Sequence, residues 1–195
     1  MPSFDFNQPL GWVLLWSAVG SVATIPYASF FEHLLHSRVM HTRTWLEFPW
    51  KLHAVSHHGL FGFDETFHAL DDNMRSHITF VPRDYLLLTV VNAPVYALAE
   101  WLCGRPIFFG CIVATLAYLQ AFNSLHWRFH VPSERWPQRS GWFLWLKEHH
   151  RLHHRSHDQN LNVVVPLADW TLGTLDTKGE KAVCPDPPAR VSSLP

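Results

Sequence analysis

Three long apolar runs set the strongest constraint on how this chain can fold. They cover residues 10–31, 85–103 and 106–122, and the first contains no charged side chain over its 22 residues. As helices rising about 1.5 Å per residue, the runs would be about 26 to 33 Å long, close to the thickness of a bilayer's hydrocarbon core. They therefore predict three transmembrane helices, of which the second and third form a hairpin closed by residues 103–106.

All 15 histidines lie in two polar segments that follow these runs, residues 32–84 and residues 124–160. Hydrophobic residues make up 48% of the chain and charged residues only 16%, which suits a protein that meets lipid. The formal net charge is −1, and no concentrated basic face offsets a polyanion. The composition therefore argues against nucleic acid as a partner.

The distribution of Lys and Arg predicts a multi-pass orientation. Five occur in residues 32–84 and nine after residue 123, whereas one occurs in the hairpin connection and none before residue 10. Because positive residues concentrate on the cytoplasmic side of membrane proteins, both histidine segments are predicted to face the cytoplasm. Three spans then leave the short N-terminus outside and the tail inside.

The length of 195 residues suits a single domain, predicted over residues 1–180. Four prolines after residue 183 and few apolar anchors predict a disordered tail over residues 181–195. Cys103, Cys111 and Cys184 are widely separated and form no CxxC pair. Free thiols are therefore expected, and neither a disulfide framework nor a zinc finger is predicted.

The densest histidine stretch is residues 147–158, which read KEHHRLHHRSHD. On a helix, His150, His153 and His154 stand at i, i+3 and i+4, so their imidazoles point the same way. Neutral imidazole is the commonest protein ligand for first-row transition metals, whereas three protonated rings on one face would repel each other. The stretch is therefore predicted to bind metal. Taken alone, it could also be a pH-sensitive histidine tract.

Three further histidine motifs precede it: His36-x4-His41 in HSRVMH, His53-x3-His57-His58 in HAVSHH, and His126-x3-His130 in HWRFH. Together with HRLHH they form four histidine boxes. The chain resembles the membrane fatty acid hydroxylase and sterol desaturase superfamily, whose boxes read HxxxH, HxxHH and HxxHH around transmembrane hairpins. The resemblance runs from about residue 32 to residue 174, and it includes Asn162 and the Asp-x3-Gly-Thr ending at Asp169, Gly173 and Thr174.

This resemblance implies an all-α integral membrane protein with about three transmembrane spans, whose cytosolic helical cap holds two iron ions. Zinc is a plausible substitute, because imidazole sites bind it well. Carried over box by box, the metal ligands are His36, His41, His53, His57, His58, His126, His130, His150, His153 and His154.

Two features depart from the superfamily pattern. The second box has three residues before its HH pair where two are usual, and Ser37 follows His36 where many members have arginine. One inserted residue turns a helical side chain by roughly 100°. His53 is therefore the member of the ligand set that fits the pattern least well.

The resemblance also implies the activity, which is O2-dependent hydroxylation of a lipid such as a fatty acyl chain or a sterol-like lipid, with desaturation as the second choice. Cleaving an unactivated C–H bond with O2 as co-substrate calls for a redox metal shielded from water. The chain has no HPGG haem loop and no GxGxxG fingerprint. Electrons are therefore expected from an external donor, a ferredoxin or cytochrome reductase system.

The other five histidines are weaker ligand candidates. His33 stands at a spacing from His36 that matches no box, so a structural or ligand-orienting role is expected. His149 and His157 flank the last box, and they either orient ligands by hydrogen bonds or lie at the surface. Histidines 68 and 77 lie in a stretch of acidic residues that are expected to be mostly solvated: Asp64, Glu65, Asp71 and Asp72.

Other classes of protein fit less well. A soluble di-iron carboxylate bundle needs paired ExxH motifs, and only Glu65 to His68 matches, while the HExxH motif of a zincin is absent. The main alternative is a non-catalytic membrane protein that binds or transports metal. Transporters place their ligands near the bilayer midplane, and the three apolar runs contain no histidine, which favours the enzyme.

Overall fold

The computed structural model describes residues 8–177, and it is all-helical, with no strand in that range. The prediction of an all-α protein is confirmed for this part of the chain. The predicted disordered tail and Cys184 lie outside the described residues.

Eight α-helices make up most of the described chain: α1 (Leu10–Leu35), α2 (Glu47–Trp50), α3 (His58–Leu60), α4 (Asp72–Arg75), α5 (Pro82–Cys103), α6 (Phe108–His130), α7 (Gly141–Arg155) and α8 (Leu167–Leu172). Two π-helices, π1 (His36–Met40) and π2 (Lys51–His57), carry the first two histidine boxes. A single 3-10 turn covers Glu65–Phe67.

Three helices are long and apolar enough to cross a membrane, as predicted. They are the continuous helix Leu10–Met40, formed by α1 and π1, and the helices α5 and α6. The first and the last continue beyond their apolar runs, because no helix breaker stands where the apolar residues stop. Residues 123–130 extend α6 until Pro132 follows, so His126 and His130 occupy its last two turns.

The chain divides into two compact units. The first comprises Met1–Ala28 and Phe80–Ala121, and the second comprises Ser29–Thr79 and Phe122–Pro195. In the described residues, the first unit contains α5 and most of α1 and α6. The second contains every histidine of the chain, so the candidate site belongs to that unit alone.

Within the first unit, α1 and the start of α6 approach so closely that only glycine fits at the crossing. A Cβ atom on Gly110 would lie 1.8 Å from the carbonyl oxygen of Ser17, and one on Gly20 would lie 2.6 Å from that of Ile107. Ser21 donates a hydrogen bond across the contact to the carbonyl of Gly110, at 3.0 Å. Small residues of this kind let membrane helices bring their backbones together.

We expect Gly110→Ala to lower the free energy of unfolding by about 1 to 3 kcal/mol, the usual cost of overpacking. Gly11→Ala is the matched control on α1, because its Cβ would meet nothing within 4 Å. That change should be neutral or slightly stabilising, since alanine is the better helix former. Thermal unfolding midpoints in detergent test the pair, and equal midpoints would contradict the close crossing.

The second unit is organised around α7, which is buried on one face and exposed on the other. Phe143, Leu146 and Leu152 are buried together with four histidines of the helix, whereas Trp142 and Trp145 are about half-exposed. Aromatic side chains from other segments close the interior around these histidines. The rings of Phe61 and Phe67 lie 4.5 and 4.6 Å from the ring of His130, and Phe129 lies 5.5 Å from His150.

Candidate metal centre

The structure brings all ten predicted ligand histidines together in two groups of five. The first cluster contains His36, His41, His53, His58 and His153, and the second cluster contains His57, His126, His130, His150 and His154. In each cluster the five candidate ligand nitrogens lie within 4.8 Å of one another. Nitrogens bound to one first-row metal ion at about 2.1 Å are at most about 4.2 Å apart, so each cluster has nearly the dimensions of a single coordination sphere.

Backbone carbonyl groups fix which nitrogen of each imidazole faces the cluster. In six of the ten rings Nδ1 donates a hydrogen bond to a carbonyl oxygen, which leaves the lone pair on Nε2. The pairs are His36 with Leu161, His57 with His77, His126 with Ile78, His130 with Phe67, His153 with Gln159 and His154 with Phe61. Metal-binding histidines in proteins are usually held by such a bond from the second ring nitrogen.

The Nε2 atoms that face the interior carry no hydrogen, so they cannot hydrogen-bond to one another. The Nε2 atoms of His57 and His126 lie 3.2 Å apart, although both rings already donate through Nδ1. A neutral imidazole has one donor and one acceptor nitrogen, so two lone pairs face each other here. A cation between the rings relieves that repulsion, and this donor set therefore fits a metal ion.

Two further rings carry an unsatisfied nitrogen. The Nε2 atom of His150 lies 3.2 Å from that of His130 and 3.1 Å from that of His154. Its Nδ1 atom is buried with no hydrogen-bond partner among the described residues, and the same holds for Nδ1 of His58. Buried polar atoms are normally paired, so these two rings also fit a site completed by an ion.

Burial keeps the clustered imidazoles neutral. Removal from water, reinforced by the neighbouring histidines, lowers the pKa far below its ordinary value in six rings outside the membrane-spanning helices: His53, His57, His58, His150, His153 and His154. Only the neutral ring binds a metal ion. The cluster therefore presents its ligands in the competent form at neutral pH.

The same shifts predict a steep loss of stability in acid. After unfolding, these rings recover the ordinary pKa of about 6.5, so between that value and the lowered one the unfolded chain binds more protons than the folded chain. The free energy of unfolding of the metal-free protein should then fall as the pH drops below about 6.5. Thermal midpoints in detergent between about pH 7.5 and about pH 5.5 test this, and a flat profile would contradict it.

The three histidines of the last box do not share one cluster. His150 and His154 belong to the second cluster, whereas His153 belongs to the first. On a helix the residue at i+4 lies nearer in angle to residue i than the residue at i+3 does, which explains the division. The sequence prediction that these three imidazoles share one face of the helix did not include this division between two clusters.

Neighbouring histidines in the chain bind the two clusters into one centre. His57 and His58 are consecutive but belong to different clusters, and so are His153 and His154. Across the boundary, the rings of His58 and His154 have their centroids 4.3 Å apart. Two ions held by these clusters would therefore be close neighbours.

The π-helices explain the two longer box spacings. His41 donates its backbone N–H to the carbonyl of His36 at 3.0 Å, and the backbone N–H of His58 bonds to the carbonyl of His53, both in the i to i+5 pattern. This wider turn places residue i+5 over residue i, as an α-helix places residue i+4. The extra residue in the second box is absorbed in this way, so His53 joins the first cluster.

Asp169 holds the segment that carries the carbonyl partner of His36. Its buried carboxylate accepts hydrogen bonds from the backbone N–H of Leu161 at 2.9 Å, from that of Asn162 at 2.8 Å and from the hydroxyl of Thr174 at 2.7 Å. Burial raises the pKa of Asp169, but the hydrogen bonds from His149, Thr174 and Asn162 outweigh it and hold the pKa below its ordinary value. The Asn162 and Asp169 motif of the sequence is therefore a support for the cluster.

The other histidines take several roles outside the clusters. His149 is buried and lies 3.1 Å from Oδ2 of Asp169, and His33 lies 3.1 Å from the hydroxyl of Thr174. Both belong to the support, as one of the expected alternatives proposed. His77 contributes its carbonyl to His57, whereas His68 has a buried Nε2 with no partner in the described residues.

Some supporting residues carry no sequence signal as ligands. Glu32 is buried, accepts the backbone N–H of Val163 at 2.6 Å and lies 3.2 Å from the amide of Asn162. In the sequence, the supporting role of Glu32 is marked only by its position as a single acid directly after a long apolar run. By contrast, three of the acids near histidines 68 and 77 make local contacts: Asp64 and Asp71 cap short helices, and Asp72 pairs with Arg75.

No family model matches this chain, and no match was found among curated proteins or solved structures.

Proposed function

We propose that this chain is a membrane-bound di-iron oxidoreductase of the fatty acid hydroxylase and sterol desaturase type, which hydroxylates a lipid. The observation that carries the proposal is the pair of adjoining clusters, each of five histidines whose candidate ligand nitrogens converge, with eight of the ten rings buried. An all-imidazole site of this kind suits iron, copper, nickel or zinc rather than magnesium or calcium, which prefer oxygen ligands. The three apolar helices support a substrate that is itself a membrane lipid.

Two adjacent metal sites favour redox chemistry over simple binding. Two iron ions, when bound, would offer open coordination positions for O2 and would pass to it the electrons received from an external donor. The balanced reaction is a lipid C–H bond, O2, two electrons and two protons giving a C–OH group and one water. In this proposal the electrons come from a ferredoxin or cytochrome reductase system, because the described residues offer no ligand set other than the histidine clusters for a redox group.

The protein's own residues orient the ligand imidazoles and exclude water from the site. The carbonyl groups of Phe61, Phe67 and Ile78 hold three imidazoles in one tautomer, so the ligand nitrogens are set before any ion arrives. Eight of the ten rings are buried, which excludes water that would otherwise consume a reactive oxidant. We place this centre on the cytoplasmic face, following the excess of Lys and Arg in both histidine segments.

The test is expression in a host of defined lipid composition with iron supplied, followed by mass spectrometry of the extracted lipids under 18O2. Hydroxylation adds one labelled oxygen to a lipid, whereas desaturation removes two hydrogens and adds none. The control is the double variant His150→Ala/His154→Ala, which removes two ligands of the second cluster. Two bound metals with no changed lipid and no donor-dependent O2 uptake would indicate a non-catalytic metal protein and overturn the proposal.

A further inference from the structure

The two clusters differ in their access to solvent. All five histidines of the second cluster are buried. In the first cluster, His36, His53 and His153 are buried, but His41 and His58 are partly exposed. The first cluster is therefore the more accessible of the two.

An eleventh histidine stands at this more open side. His157 follows α7, and its side chain is exposed. Its ring centroid lies 4.2 Å from that of His58 and 5.2 Å from that of His41, on which it is stacked at an interplanar angle of 24°. The next residue along the chain is Asp158, which is also exposed.

His157 is not part of either five-residue group, and its exposed side chain agrees with the surface position that was one of the two sequence alternatives. Its ring lies beside three rings of the first cluster, those of His41, His58 and, at 6.0 Å, His153, and it donates a hydrogen bond to the backbone carbonyl of His154. A ring in this position can bind an incoming ion while the ion still holds water molecules on its outer side.

We propose that His157, His41 and His58 form a transient capture site for a divalent first-row metal ion, through which the first cluster fills before the second. The inference rests on the proposed metal-binding function of the clusters. The ion exchanges water for imidazole one ligand at a time, and each step is short because the rings are in contact. The second cluster is then reached across the His58 and His154 contact of 4.3 Å.

The experiment measures the rate at which the metal-free full-length protein in detergent takes up Zn²⁺, followed by stopped flow with a chromophoric zinc indicator. The wild type should bind two ions in two phases of equal amplitude. His157→Phe keeps an aromatic ring in place but removes the ligand nitrogen, and His157→Ala removes both. Both variants should slow the fast phase by about tenfold while the final stoichiometry stays at two ions per chain.

The two variants separate capture from simple shielding. If His157 only covers the cluster, His157→Ala accelerates the fast phase and His157→Phe leaves it unchanged, and that result overturns the proposal. Unchanged rates in both variants overturn it as well. His77→Phe is the control for replacing an imidazole by a phenyl ring, because His77 contributes its backbone carbonyl to the centre. The two uptake phases of this variant should match those of the wild type.

The filling order has its own readout. His150→Ala/His154→Ala, which damages the second cluster, should abolish the slow phase and keep the fast one. Loss of the fast phase instead would refute the order of filling. A wild type that binds no metal would end the proposed function itself, whereas two ions bound at rates insensitive to residue 157 would end only this inference. Circular dichroism of each variant verifies its helical content.

Discussion

The double variant His150→Ala/His154→Ala should bind one metal ion per chain, whereas the wild type should bind two. These residues stand one helical turn apart on α7, and both belong to the second cluster, which is left with three ligands. Loss of two of five imidazoles opens positions to water and removes the affinity of a filled coordination sphere. The first cluster keeps all five of its own histidines, so its ion should stay.

The matched variant is His41→Ala/His153→Ala, which removes two ligands of the first cluster and leaves the second intact. It also should retain one ion, although His153 is next to His154 in the chain. Combining the four substitutions should leave none. Metal analysis of protein purified with iron or zinc supplied gives these stoichiometries, with His77→Ala as the variant expected to keep two ions.

Lipid oxidation should fall below detection in both double variants, because the proposed reaction needs two ions side by side. A pair of variants that each lost both ions would contradict the division into two clusters. So would two variants with unchanged metal content. The sequence alone predicts no such contrast, since it placed His150, His153 and His154 on one face.

Much of this site follows from the sequence, because the features involved are local. Apolar runs of bilayer length identify the three helices that are long enough to cross a membrane, and the resemblance of the histidine boxes to a known superfamily implies the same ten histidines that converge in the structure. The choice of cluster for each ring is not local. His57 and His58 are the same residue type in the same stretch of sequence. Only their packing against α6 and α7 assigns them to different clusters.

The carbonyl partners are also beyond sequence reasoning. Every residue has a carbonyl oxygen, so nothing marks Phe61, Ile78 or Leu161 as the ones that fix an imidazole tautomer. The π-helices are also not predictable from the sequence. The wider turn at Lys51–His57 depends on the packing of His53 in the first cluster, which is a tertiary contact. The one extra residue in the second box is the only sign of this wider turn in the sequence. If the box is read as an α-helix, His53 is the residue that fits the superfamily pattern least well.

Asp169→Asn should lower the free energy of unfolding by about 3 to 5 kcal/mol and release metal from the first cluster. The Asp169 carboxylate is fully buried and accepts hydrogen bonds on both oxygens, including that of His149 at 3.1 Å. An amide keeps the shape but turns one acceptor into a donor. That donor then faces other donors and leaves buried groups unpaired, at about 1 to 3 kcal/mol for each group.

The metal effect follows from the segment that Asp169 holds. The backbone N–H of Leu161 bonds to this carboxylate, and the carbonyl of the same residue accepts from Nδ1 of His36. When that segment loosens, His36 loses its fixed tautomer and its orientation toward the first cluster. Asp71→Asn is the control, because it changes an exposed cap on α4 that contacts no clustered histidine. Thermal unfolding and metal analysis are measured on the same samples. If Asp169→Asn unfolds like Asp71→Asn, or loses stability while both ions stay bound, the carboxylate does not position the first cluster.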